Sequence, residues 1–203
     1  MTDFHFYEPA DGHRLPHDPF NAIVAPRPIG WISTLSADGR RNLAPYSFFN
    51  AFNYRPPLIG FASQGRKDSL ANCEATGEFV WNLATRPQAE AMNASSASGD
   101  ADEFTLTGLD ALPSRLVAPP RVAGSPVQFE CKVTQIVRLE TKEGQALDQW
   151  LVLGEAVGIH IDTALLEDGI YQTASARPIV RGGGPADYFE IARDALFQMR
   201  RPG

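Results

Sequence analysis

Two long stretches of alternation dominate the second half of the chain. Val127, Phe129, Cys131 and Val133 alternate with polar partners on a run ending near Glu140, and Leu151, Leu153, Glu155, Val157 and Ile159 keep the same period from Trp150 to Ile161. A period of two puts one set of side chains on one face, so both runs read as β-strands, joined through Lys142-Glu143-Gly144-Gln145. Earlier, Ile29–Leu35 and Leu43–Phe49 flank Asp38-Gly39, a strong hairpin-turn signal. Pro56-Pro57 breaks the chain before Leu58–Ala62, a short buried strand, and Glu78–Leu83 reads as another.

Helical signals are fewer. Lys67-Asp68-Ser69 opens a helix running to about Glu74, with Asp68 or Ser69 as the expected cap and Gly77 as terminator. An Ala-rich helix is predicted from Pro87 to Ala97. Phe189, Ala192, Leu196 and Met199 recur at helical spacing, which predicts an amphipathic helix from about Asp187 to Met199. Strands outnumber helices and the connections suit antiparallel pairing. The expected fold is therefore mainly β, an antiparallel barrel of about six strands with a few peripheral α-helices. The chain reads as one domain over residues 1–203, with an N-terminal arm over 1–20 and a helical tail over 185–203. No Gly-x-Gly-x-x-Gly follows a strand, which argues against a Rossmann domain.

Composition narrows the function classes. A net charge of −6 argues against a nucleic-acid partner, since such proteins present a basic face. Cys73 and Cys131 are too few for a disulfide framework and too far apart for a zinc pair, so buried inert thiols are expected. His5, His13 and His17 do not match a ligand spacing, and no metal site is expected. No signal-peptide pattern opens the chain and no apolar run approaches the ~20 residues of a membrane span, so no membrane association and a cytoplasmic location are expected.

The chemistry concentrates in two places. The second hairpin strand carries Asn42, Tyr46, Ser47 and Asn50 among Ala, Pro and Phe, rather than Val, Ile and Leu along one face. Small residues expose the backbone, so such a strand suits a flat, heteroatom-rich ring. Arg66-Lys67-Asp68-Ser69 is a cationic entry to a helix, where free N–H groups, the dipole and a cation favour a phosphate. A planar ring with a phosphate points to a flavin nucleotide.

These motifs carry a resemblance. Arg27-Pro28-Ile29-Gly30-Trp31-Ile32-Ser33-Thr34, Asn42 to Phe49, Arg66 to Ser69 and Gly154-Glu155-Ala156-Val157-Gly158-Ile159-His160 resemble the flavin reductase-like family. The similarity extends over roughly residues 20–200. It implies the FMN-binding split barrel, an antiparallel split β-barrel, and a homodimer sharing each flavin site. The family's ring-lining positions correspond to Asn42, Ala44, Ser47 and Asn50; from the residues themselves, Arg66, Lys67 and Ser69 are expected at the phosphate, and Ser33 and Thr34 at phosphate or ribityl chain. His160 matches a histidine near the flavin and nicotinamide pocket, and Arg181 begins a segment near the active site, attractive to an anionic dinucleotide.

The implied activity is NAD(P)H-dependent flavin reduction, with hydride passing from NADH or NADPH to flavin N5 and electrons leaving on flavin or to a partner such as a monooxygenase. FMN is expected rather than FAD, because nothing reads as an adenine pocket. The alternative is a flavoredoxin-like FMN electron carrier without its own NAD(P)H activity. A pyridoxamine-phosphate-oxidase-like enzyme shares the fold, but no second cationic cluster for a phosphate substrate is visible.

Overall fold

The computed structural model describes residues 2–97, 99 and 102–202. The N-terminal arm is extended apart from a 3-10 turn at Pro9–Asp11, and ends in a single helical turn, α1 (Phe20–Ile23). The two-residue strand β1 (Arg27–Pro28) leads into the expected hairpin, β2 (Gly30–Leu35) with β3 (Arg41–Tyr46). Its register pairs Ile32 with Ala44 and Thr34 with Asn42. A bend at Ser47-Phe48 turns the chain into β4 (Phe49–Asn53), which pairs with β5 (Leu58–Gln64).

Helix α2 (Asp68–Thr76) follows, and Gly77 ends it in the left-handed conformation at φ +71°. The expected side-chain cap is not made: Lys67 occupies the cap position, and no side chain accepts from the first turn. After β6 (Glu78–Asn82), a 3-10 turn at Arg86–Gln88 runs into α3 (Ala89–Ala94), shorter than the predicted helix. Helix α4 (Glu103–Thr107) comes next, capped by the Asp102 side chain. Short β7 (Ala111–Leu112) and β8 (Arg121–Val122) pair with each other. The long strands are β9 (Val127–Glu140) and β10 (Ala146–Ile161).

These elements build a curled, seven-stranded antiparallel sheet in the order β3-β2-β6-β9-β10-β5-β4, an open half-barrel. Its concave side holds Ile32, Ile59, Phe61, Phe79, Cys131 and Val152, closed by Leu70 and Cys73 of α2. Each such side chain contributes about 1.5–3 kcal/mol on burial. The opposite face of the β2–β3 hairpin is covered by α3 and α4, through Trp31, Leu43, Met92 and Phe104. Burial pushes the Cys73 thiol up to about 12 and raises that of Cys131 as well, which leaves both as packing residues. No helix among the described residues is long and apolar enough to cross a membrane.

Beyond β10, β11 (Leu166–Glu167) pairs with β12 (Ile170–Tyr171). Then β13 (Ile179–Arg181) joins β1 and β14 (Tyr188–Glu190) in a small sheet. This corrects the predicted helical tail. Tyr188–Glu190 is a strand, Arg193–Ala195 a single 3-10 turn, and Leu196, Phe197 and Met199 are exposed. The helical spacing was present, but no apolar surface lies beneath it to stabilise a short helix. The open edge of β13 offers backbone partners instead, and Tyr188-Phe189 suits a strand.

Candidate functional site

The bend at Ser47-Phe48 is where the hairpin becomes a site. β3 delivers Asn42, Ala44 and Tyr46 to one wall of a cleft, and the bend adds Ser47 and Phe48. Ala62 and Gln64 of β5 and Gln149 of β10 form a second wall, and Lys67, Asp68 and Ser69 form the end. Ser95, Ser96 and Ala97, following α3, complete it with Glu103 of α4. The cavity volume is about 480 Å³, within the roughly 300–1,000 Å³ common for small-molecule sites. The early hairpin and the helix-entry turn therefore share one cleft.

A buried polar network locks the two together. Asn42 Nδ2 donates to Ser69 Oγ at 2.8 Å and to Thr34 Oγ1 at 3.1 Å, and Asn72 Nδ2 donates to Thr34 Oγ1 at 3.0 Å. Thr34 is thus a fully buried junction between β2, β3 and α2, and does not line the cleft. Ser33, its neighbour, points the other way: its hydroxyl donates to the Pro120 carbonyl and accepts from Asn82 Nδ2. Adjacent strand residues face opposite sides, so the two cannot serve one ligand together.

Several groups bear on an anionic, planar ligand. The first-turn N–H groups of α2 have no side-chain cap, and Lys67 beside them forms no ion pair among the described residues. The Tyr46 phenol oxygen is buried without an acceptable hydrogen-bond partner. Burial pushes its pKa up, while the nearby hydroxyls of Ser69 and Ser63 pull the other way. Glu103 accepts from the Leu43 N–H at 3.0 Å, and burial raises its pKa. A ring-and-phosphate ligand fits these donors.

The remaining expected residues lie elsewhere. Arg66 forms a two-point ion pair with Glu74 and does not line the cleft. Asn50 Oδ1 accepts from the Ala51 N–H, and the residue lines a neighbouring groove with Phe48, Phe49 and Phe52. His160 sits 11 positions along β10 from Gln149, roughly 30 Å or more of strand at ~3.3 Å per residue. Its Nε2 lies 2.6 Å from Oε1 of the fully buried Glu130, whose oxygens also accept from the Arg115 and Leu116 N–H groups. Burial works to raise the Glu130 pKa, but the hydrogen bonds from Arg115, His160 and Leu116 outweigh it and leave the pKa lowered. Arg181 lies on β13, donating to the Asp187 and Pro185 carbonyls. Trp31 is core, its Nε1 donating to Ser95 Oγ at 3.0 Å.

Residues missed in the sequence include Gln64, Ser95, Ser96, Glu103 and Gln149. The Ser95-Ser96 pair after an Ala-rich helix and the glutamine at the end of an apolar strand were the available signals.

Comparison with known proteins gives a consistent picture. An uncharacterized protein of Halalkalibacterium halodurans is 36% identical over 190 residues, covering 87% of this chain and 90% of its own. The structure resembles nitrilotriacetate monooxygenase component B from Bacillus cereus, with a TM-score of 0.80 and 27% identity over 89% of this chain and 91% of that one. It also resembles the 2-nitrobenzoate 2-nitroreductase NbaA of Pseudomonas fluorescens, with a TM-score of 0.79 and 29% identity over 90% and 88%. Residues 24–179 match the model of the flavin reductase like domain, and the chain belongs to that family.

Proposed function

We propose that this flavin reductase-like chain binds FMN in the cleft between β3 and α2 and acts as an NAD(P)H:flavin oxidoreductase. The observation that carries the reading is the shared cleft, with Ala44 and Ser47 on one wall and Lys67 and Ser69 at its end. Bound there, FMN supplies a ring that accepts a hydride from reduced nicotinamide and passes electrons onward.

The chain's own residues bind and orient. Ala44 and Ser47 present an accessible backbone at a bend, which suits the polar edge of a flat ring. Tyr46 packs its ring on Phe61 beneath the same wall and keeps its phenol oxygen buried. Lys67, the uncapped first turn of α2 and Ser69 form the phosphate seat, where cation, dipole and N–H groups act together. Asn42 holds Ser69 in place, and Thr34 holds Asn42. Their part is positioning.

The active form is a homodimer in this reading. Val157, Ile159 and Ile161 project apolar side chains from β10 into solvent, at 37–49% exposure, and Val137 of neighbouring β9 does the same. A second copy covering that face would bury these side chains. A redox partner protein is the expected destination of the electrons, as the name of the similar monooxygenase component invites.

The test is anaerobic. NADH or NADPH added to the FMN-loaded protein should bleach the visible flavin band rapidly. Bleaching only by dithionite or by a separate reductase would overturn the reductase reading and leave an FMN electron carrier.

A further inference from the structure

Phe48 and Ala62, which line the ring cleft, also line a second groove. That groove has a volume of about 460 Å³ and lies between α1 and β4. Val24, Pro26, Phe48, Phe49, Phe52 and Leu151 give it an apolar, largely aromatic lining, with Arg27 and Asn50 as its polar positions.

Arg27 is buried, only 9% exposed, and forms no ion pair among the described residues. Its terminal nitrogens donate to the carbonyls of Asn21, Val24 and Gly182, which carry no net charge, and its Nε is buried without a partner. Buried charges are ordinarily paired. Asn50 Oδ1 accepts from the Ala51 N–H, which leaves its Nδ2 to donate. The groove therefore suits aromatic surface together with a carboxylate.

The N-terminal arm carries that combination. His5 and Tyr7 face back onto the chain: His5 Nε2 lies 2.8 Å from the His13 carbonyl oxygen, and the Tyr7 ring meets the His13 ring edge-on at 6.4 Å. Alternate residues of an extended backbone face opposite sides, so Phe4, Phe6 and Glu8 share the other side. Phe4 and Phe6 are 83% and 78% exposed, and Glu8 forms no ion pair among the described residues. Residues 1–18 hold four carboxylates, at Asp3, Glu8, Asp11 and Asp18, against one arginine, Arg14. The exposed apolar residues of the tail, Leu196, Phe197 and Met199, lead instead into Arg200-Arg201, which would bring like charge to Arg27. The sign of the charge selects the arm over the tail.

We propose that the groove seats the N-terminal arm of a second copy of this chain, with Phe4 and Phe6 against Phe48 and Phe52 and the Glu8 carboxylate on Arg27. Within one chain the arm is tied back on itself through His13 and holds both rings in solvent, so the occupant comes from the partner. Phe48 and Ala62 border both spaces, and the seated arm therefore backs the Phe48 side of the ring cleft. The proposal rests on the homodimer reading for its second copy and does not depend on bound flavin.

The test is a cross-link between copies. Cys73 and Cys131 are buried thiols and do not compete. Full chains carrying Phe6→Cys and Asn50→Cys are co-expressed and oxidised with diamide, which takes up the two electrons released as each disulfide forms. The pair should give at least about tenfold more linked dimer than either variant alone, because docking raises the effective concentration of the two thiols. Adding Glu8→Gln should cut that yield at least about fivefold, through loss of a charge-assisted contact. A yield no higher than that of the single variants, or one unchanged by Glu8→Gln, would overturn the proposal. So would an intrachain bond, in place of a link between chains, in the doubly substituted F6C/N50C protein, since the occupant would then be the chain's own arm. A stronger link from Phe197→Cys to Asn50→Cys would also overturn it and give the groove to the tail. Light scattering on the unsubstituted protein separates this idea from the homodimer reading: a monomer strikes both, whereas a dimer without the link strikes only the seated arm.

Discussion

The side-chain amide of Asn42 donates to the hydroxyl of Ser69 at 2.8 Å, joining the ring strand to the first turn of α2 across 27 residues of sequence. A separation between the two walls of the cleft would have to break this buried bond. The cleft's shape therefore depends on a polar contact rather than on apolar packing alone.

Asn42→Ala should weaken FMN binding by about 1–2 kcal/mol, since Ser69 loses its tether and Thr34 loses one donor. Titration of FMN followed by flavin fluorescence measures this. An unaltered dissociation constant in a folded variant would mean that the two walls keep their places without the bond.

Lys67 and Arg66 should separate cleanly. Lys67→Ala is expected to weaken FMN by about 1–3 kcal/mol and to leave riboflavin, which lacks the phosphate, unaffected. Arg66→Ala should leave FMN affinity within about 0.5 kcal/mol, because Arg66 is committed to the exposed Glu74 pair. Equal losses in both variants, or an equal loss for riboflavin, would remove Lys67 from the phosphate seat.

Glu130 makes acid stability a readout of the His160 end of the sheet. Its folded-state pKa is lowered from an ordinary 4.5, so its contribution is fully present above that value and fades as pH falls through the lower folded value. Glu130→Gln should cost on the order of 1–3 kcal/mol at neutral pH, because an amide group must face the donors Arg115 N–H, Leu116 N–H and His160. Urea unfolding between about pH 5 and about pH 3 should show a shallower loss of stability in the variant than in the wild type. Parallel curves would refute the assignment.

Gly154 tests the core of the half-barrel. A Cβ there would stand 2.3 Å from Phe79 Cε1, so Gly154→Ala must displace a fully buried ring. The expected cost is about 1–3 kcal/mol in denaturant unfolding, partly recovered by adding Phe79→Leu. No loss in the single variant would show that the Phe79 ring can move aside freely.

Much of the fold could be read locally. The β2–β3 hairpin follows from Asp38-Gly39 between alternating runs, and β9 and β10 follow from their two-residue period. Ala44, Ser47, Lys67 and Ser69 stood out because a strand of small polar residues and a cationic helix entry are unusual choices for a core, and all four line the cleft. Other expected positions do not line the cleft, because residue type is local and side-chain direction is not. Ser33 and Thr34 are neighbours on one strand and so face apart, one to Pro120 and one to Asn42 and Asn72. Arg66 has a carboxylate waiting on the helix it precedes, which only the folded helix brings within reach. The tail kept a helical spacing and still became a strand, since backbone pairing to β13 was available and an apolar bed was not.

By itself, the order of residues determined the antiparallel class, the hairpin, the helix entry and the small polar and cationic positions that line the cleft, because each depends on short-range period, turn preference and functional group. Only the tertiary structure decided that Asn42 meets Ser69, that His160 lies far along β10 from the cleft, and that Arg27 stands opposite Arg181 across the β1–β13 ladder. Those relations join residues many positions apart in the chain. They are set by strand order and register, which sum over the whole sheet and leave no local mark on any one segment.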